Sequence, residues 1–299
     1  MAGRDAGWAD WVDRLPRLAD ALLAEWELAV DGLPMHGYTS LVVPVRSGGT
    51  TAGTPAVLKV TYDGDDESEH EHLALQHWAG RGAVRLLRAD PHRRALLLER
   101  LRARDLGDVE DGEACEVVAG LYAQLHVPAP PQLRPLTSYT ERWGSELAAL
   151  PRSAPLPHRL VEQAVSLGRD FVTDAASTGT MVHGDLHYSN VLAAERQSWV
   201  AIDPKPMSGD PHYEPAPMLW NRFEELGTSG QGVRKGVRRR FHALVDAAGL
   251  DEDRARDWVV VRMLHNAMWA LQDDPGPARR PATEEWLTAC IAIVKAVQD

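Results

Sequence analysis

Only two cysteines, Cys115 and Cys290, occur in the 299 residues. They are far apart and form no C-x-x-C pair, so no disulfide framework is indicated, and a reducing cytoplasm suits them. No apolar run approaches the roughly 20 residues of a membrane span. The opening MAGRDAGWADWVDR is too acidic for a secretory leader. There is no G-x-G-x-x-G near the N-terminus and no G-x-x-x-x-G-K-[ST] anywhere, which argues against a P-loop enzyme. Positive charge is also in deficit: 32 Lys and Arg stand against 43 Asp and Glu, a net charge of -11. That balance disfavours nucleic acid and favours a cationic ligand. The basic run Arg234 to Arg240 (RKGVRRR), written on a helix, spreads its charges around a solvated face. Internal repeats are lacking as well. What remains, 44% hydrophobic and 25% charged, is an ordinary globular composition with enough chain for two lobes.

The informative stretch is MVHGDLHYSNVLAAERQSWVAIDP, Met181 to Pro204. Transfer of a phosphoryl group needs charge neutralised and the acceptor held in line, more than it needs a covalent intermediate. An Asp to accept the acceptor's proton, an Asn five positions later on a metal and a second Asp beyond a hairpin can do this. Asp185, Asn190 and Asp203 stand in that order, and the apolar runs Val191 to Ala194 and Trp199 to Ile202 flank a polar turn as a hairpin would. Two other readings compete. His183, Asp185 and His187 alternate as ligands of a metal-dependent hydrolase do, and a loop rich in His, Asp, Ser and Asn can be purely structural.

Upstream, Leu41 to Arg46 and Ala56 to Thr61 read as strands joined by a flexible Gly- and Thr-rich segment, with Lys59 inside the second. A strand lysine is ordinarily an edge or solvent-facing residue; the alternative is a cation for nucleotide phosphates. Glu71, in a helical run from Glu67 to Ala79, is the preferred partner to hold it extended, with Glu67 and Glu69 as competitors. Asp31 to Ser40, with Gly32 and Gly37, is the candidate phosphate-covering loop, and Ser40 its candidate side chain; ordinary hairpin glycines explain it equally. Helical periodicity covers Trp8 to Trp26 despite Pro16, and resumes from about Asp108 to the C-terminus with segments near 139–150, 157–176, 216–226, 232–248, 251–271 and 283–297.

The order Lys59, Glu71, His183-Gly184-Asp185, Asn190, Asp203 resembles the aminoglycoside phosphotransferase branch of the kinase-like fold. More narrowly, RGAVRLLRADP, ALLLERL, HGDLHYSNVLAAE, AIDPKP and GDPHYEPAPMLWNR resemble the streptomycin 6-kinase, hydroxyurea phosphotransferase and viomycin phosphotransferase family, from about Leu28 to Ala270. The resemblance implies an α+β, bilobal protein-kinase-like fold, with a small antiparallel-sheet lobe (1–101) and a larger helical lobe (102–299). It implies O-phosphorylation of a small-molecule antibiotic using ATP or GTP and Mg2+, by a monomer that needs no membrane or nucleic acid. In that frame Asp185 is the base, Asn190 and Asp203 hold the metal, Lys59 meets phosphate, and Glu99 and Leu101 flank the hinge that takes adenine. Pro204 and Lys205 stand where protein kinases carry Phe and Gly, so a swinging activation segment is not implied. A polyhydroxylated cation wants carboxylates and an aromatic wall, for which Asp210, Glu214, Trp220, Asn221, Trp269 and Asp273 are candidates; bracing and core packing are their alternative roles. A nucleotide-binding regulatory module with degenerate catalysis is the second function class.

Overall fold

The computed structural model describes residues 6–48, 50, 52–228, 232–276 and 279–298. Two compact units emerge, one of Met1–Arg104 with Leu192–Pro206, the other of Asp105–Val191 with Met207–Asp299. The fold is α+β, with a main antiparallel sheet, two smaller sheets and a mostly helical remainder.

The first unit carries α1 (Ala6–Glu25), β1 (Leu28–Val30), β2 (Met35–His36), β3 (Ser40–Ser47), β4 (Pro55–Thr61), α2 (Glu71–Trp78), β5 (Leu86–Asp90) and β6 (Ala95–Glu99). Its sheet runs β1-β3-β4-β6-β5, with β2 added to β3 and every pair antiparallel. Alternation decides the register. Ala56, Leu58 and Val60 of β4 are fully buried, and they share a core with Val43, Val45, Ala95, Leu97 and, from α1 and the following turn, Leu22 and Trp26. Burying a Leu or Val is worth about 1.5–3 kcal/mol, so a one-residue slip, which would turn Lys59 into this core, is strongly opposed. The same apolar stripe carries α1 through Pro16 without a break, Leu15 and Leu18 packing on the core from its partly buried flank.

The helix anticipated over Glu67 to Ala79 starts later. Asp65 accepts hydrogen bonds from the Glu67 and Ser68 amides and closes a separate 3-10 turn, Asp66–Ser68, so that α2 opens only at Glu71.

The second unit holds α3 (Asp111–Leu125), β7 (Val127–Pro128), α4 (Leu136–Ala148), α5 (His158–Thr173) and β8 (Thr180–Val182). The chain then makes the hairpin β9 (Val191–Ala193) and β10 (Trp199–Ala201), whose residues from Leu192 belong to the first unit. It returns with β11 (Met207–Gly209), α6 (Ala216–Trp220), α7 (Phe223–Thr228), α8 (Val233–Ala248), α9 (Glu252–Asp273) and α10 (Pro281–Gln298). β8 lies between β7 and β11 in a small antiparallel sheet. Val259, Val260, Val261, Met263, Leu264, Ala267 and Met268 are all buried, as are Arg262, His265 and Asn266 among them, so the middle of α9 is enclosed around its circumference. The single helix expected over Ala216 to Leu226 is two short ones. Arg222 takes a left-handed φ of 55°, and the Asn221 side-chain amide caps the Pro217 carbonyl at 3.0 Å. Among the described residues no helix is long and apolar enough to cross a membrane.

Candidate active site

Lys59 is no edge residue. It sits in β4, between β3 and β6, facing away from the apolar core, with a relative exposure of only 6%. A buried ammonium must be paired to be tolerated, and Nζ donates to both carboxylate oxygens of Glu71 at 2.7 Å and to Asp203 Oδ1 at 2.6 Å. Burial works against the lysine's charge, but Asp203 and Glu71 outweigh it and hold the pKa above the ordinary lysine range. Glu71 is itself pushed up by burial, against the pull of Lys59.

Asp203 follows β10 with a φ of 55°, a left-handed conformation uncommon outside glycine and concentrated at functional sites. Its carboxylate lies 3.5 Å from Lys205 as well, and its side chain stays 38% exposed.

In the second unit, β8 delivers His183-Gly184-Asp185. Gly184 has a φ of 81°, where a side chain would be strained. Its amide donates to Glu214 Oε1 at 3.1 Å, and its carbonyl accepts from Arg262, which also donates to the Tyr213 carbonyl. Asn190 donates Nδ2 to the Asp185 backbone carbonyl at 2.8 Å and, more weakly, to Asp185 Oδ2 at 3.4 Å. Its side-chain nitrogen is thus committed to Asp185, and the amide oxygen is the remaining polar atom of the side chain. A carboxylate at Asp203 and an amide oxygen at Asn190 are hard donors of the kind magnesium takes.

The hydrolase reading fails on the same loop. His183 is buried and its Nδ1 accepts from the Asp185 amide, while His187 Nδ1 accepts from the Ser189 amide. Among the described residues no group of three or more His, Cys, Asp or Glu side chains is arranged to hold a metal ion.

A family model described as aminoglycoside/hydroxyurea antibiotic resistance kinase matches residues 25–274. The chain belongs to that family. The chain is 42% identical to a streptomycin 6-kinase of Streptomyces glaucescens over 271 residues, 88% of this chain and 85% of the relative. It is 40% identical to a hydroxyurea phosphotransferase of Kitasatospora aureofaciens over 279 residues, 90% and 76% of the two chains. In fold it is similar to a choline kinase from Streptococcus pneumoniae, with a TM-score of 0.61 at 13% identity over 96% of this chain and 99% of that one. The protein is therefore a small-molecule kinase.

The remaining candidates of the kinase divide by accessibility. Ser40 opens β3, and its carbonyl accepts from Gly37 across a tight turn; a Cβ on Gly37 would come within 2.9 Å of Ser40 Oγ, a contact that rotation of the serine side chain relieves. Glu99 ends β6 with its carboxylate clasped by Arg196, through Nη2 at 2.6 Å, and by the Arg85 amide at 2.8 Å, and Leu101 lies just past the strand. Asp210 is 1% exposed and accepts from His212 Nδ1 and Arg254 Nε at 2.6 Å and from Trp258 Nε1 at 2.7 Å. Against burial, the His212 and Trp258 hydrogen bonds hold its carboxyl below the usual range. Glu214 is wholly buried behind Gly184, its Oε2 without a hydrogen-bond partner. Burial pushes its carboxyl up to about 7, against the Gly184 amide and Arg262. Both acids are thus buried and bonded to their own unit, Asp210 to His212, Arg254 and Trp258, and Glu214 to Gly184. Trp220 (against Arg262 and Trp286), Asn221 and Trp269 (edge-on to Trp143) are half-buried, and Asp273 is exposed.

Three groups escaped the sequence reading. Arg262 supports the loop after β8 from α9, and Asp111 receives both Tyr188 and Arg240. Arg240 is 1% exposed, so the basic run in α8 is not wholly a solvated face. Only an i, i+4 pairing with Leu244 and Phe241's neighbourhood in the helix pattern hinted that this arginine turns inward.

Proposed function

We propose that this chain is an ATP- and magnesium-dependent O-phosphotransferase that inactivates a small-molecule antibiotic by phosphorylating one of its hydroxyls. The observation that carries the reading is the Lys59 ion pair: a lysine at 6% exposure, held by Glu71 and Asp203 in a central strand, is costly to keep unless its charge is used. Bound Mg-ATP would supply the phosphoryl group. Asp185 would receive the acceptor hydroxyl's proton, Asn190 and Asp203 would ligate the metal through oxygen, and Lys59 would neutralise phosphate charge. Glu99 to Leu101 would offer the backbone for adenine and Ser40 a contact for phosphate.

The substrate class follows from the relatives and from the surface. Relatives named for streptomycin and for hydroxyurea share about 40% of this sequence. A net charge of -11 and the accessible Asp273, Trp220, Asn221 and Trp269 suit a cationic, polyhydroxylated ligand such as an aminoglycoside or a tuberactinomycin-type peptide. The enzyme would act as a cytoplasmic monomer, where ATP is supplied.

The test is a Mg-ATP consumption screen over streptomycin-like, viomycin-like and hydroxyurea substrates, with mass spectrometry for one added phosphate. Asp185→Ala should lower turnover on the order of 100- to 10,000-fold. Wild-type nucleotide binding without phosphate transfer to any of these compounds would favour the regulatory module instead.

A further inference from the structure

Lys205, two residues beyond Asp203, is held in a network that the kinase reading does not use. Its Nζ donates to Ser68 Oγ at 2.6 Å and lies 3.6 Å from Asp65 Oδ2 and 3.5 Å from Asp203 Oδ1, with 17% of its side chain exposed. Ser68 Oγ donates in turn to Asp65 Oδ2 at 2.8 Å, and Thr39 Oγ1, from the turn before Ser40, donates to the same oxygen at 2.6 Å. One polar chain thus joins the β2–β3 turn to Asp65, Ser68, Lys205, Asp203, Lys59 and Glu71, all in the first unit.

The charges of this network decide what Lys205 can do. Asp65, Glu71 and Asp203 oppose Lys59 and Lys205, which leaves one net negative charge. A divalent cation on Asp203 makes the sum positive by one, and the site then attracts a polyanion. Remove Lys205 and the same cation brings the sum only to zero. We propose that Lys205 is a second cation of the nucleotide site, the counter-ion of Asp203 before a metal arrives and a source of positive charge for the phosphate tail afterwards. This rests on the ATP- and magnesium-dependent reading above.

The test separates metal from nucleotide. Lys205→Gln keeps a donor for Ser68 Oγ and removes the charge. Binding of Mn2+ to the nucleotide-free protein, read by electron paramagnetic resonance, should tighten on the order of tenfold, because a cation 3.5 Å from Asp203 has gone. Calorimetric binding of Mn2+ with a non-hydrolysable ATP analogue should weaken on the order of tenfold. Lys205→Arg and Ser68→Ala, which both keep the charge, should stay within about threefold of wild type in each measurement. Opposite signs for metal and nucleotide are what a packing role cannot produce. Parallel losses in both measurements, no change in either, or a tenfold loss in Ser68→Ala would overturn the proposal. A wild-type protein that binds no metal-nucleotide would overturn the ATP reading itself, and this inference with it.

Discussion

Glu214 makes stability fall as pH rises, and the size of the fall can be worked out. In the folded protein burial pushes its carboxyl up to about 7 from an ordinary 4.5, with Oε2 unpartnered and Oε1 on the Gly184 amide. Below about pH 4.5 both folded and unfolded chains hold the proton. Between there and about pH 7 the unfolded chain has lost it while the folded chain keeps it, so stability declines across that window and levels off above it. A shift of that size, at about 1.4 kcal/mol per pH unit, corresponds to ~3 kcal/mol at pH 8. Glu214→Gln keeps an acceptor for Gly184 and cannot ionise. The variant should match wild type at pH 4.5 and exceed its stability by about 3 kcal/mol at pH 8, with that much of the pH slope removed. Denaturant titrations of both proteins from pH 4.5 to 8.5 give the comparison directly. Parallel curves, or a variant weaker than wild type at pH 8, would refute the claim that this carboxylate is strained by burial.

Two further outcomes follow from buried groups. Arg240 is 1% exposed and donates to Asp111 at 2.8 and 2.9 Å and to the Asn221 carbonyl at 2.7 Å; Arg240→Leu, which strands Asp111, should cost about 3–5 kcal/mol in a denaturant titration. Cys115 and Cys290 are buried with their thiols pushed up to about 12 by desolvation, so a disulfide exchange reagent should label neither in the native protein at pH 8 and both after unfolding.

The kinase chemistry was legible because its residues are spaced along short contiguous segments. Asp185 and Asn190 lie on one loop, and Lys59 stands out as a charge inside the apolar run Val57 to Val60. Glu71 could not be separated from Glu67 and Glu69 by sequence, since the choice depends on the Asp65 cap that delays α2. Substrate contact and bracing stay undecided in sequence for Asp210 and Glu214 because, His212 apart, their partners are distant: Arg254 and Trp258 lie more than 40 positions from Asp210, and Gly184 is 30 positions before Glu214. Burial of an acid is a property of those tertiary partners and leaves no periodic mark. The strands β2, β7, β8 and β11, of two or three residues each, are shorter than any alternation can reveal.

The excursion of Leu192–Pro206 into the first unit bears on how such proteins can be recombined. An N-terminal fragment ending at Arg104 would forfeit Arg196, which clasps Glu99 and donates to the Gly80 and Ala83 carbonyls, and the bridge between Ala83 and Ala201. It would also leave Lys59 with one carboxylate in place of two. A chimera that exchanges this half between relatives must therefore transplant two separate stretches of gene, and a single crossover near residue 104 would pair each cationic strand with a foreign anchor.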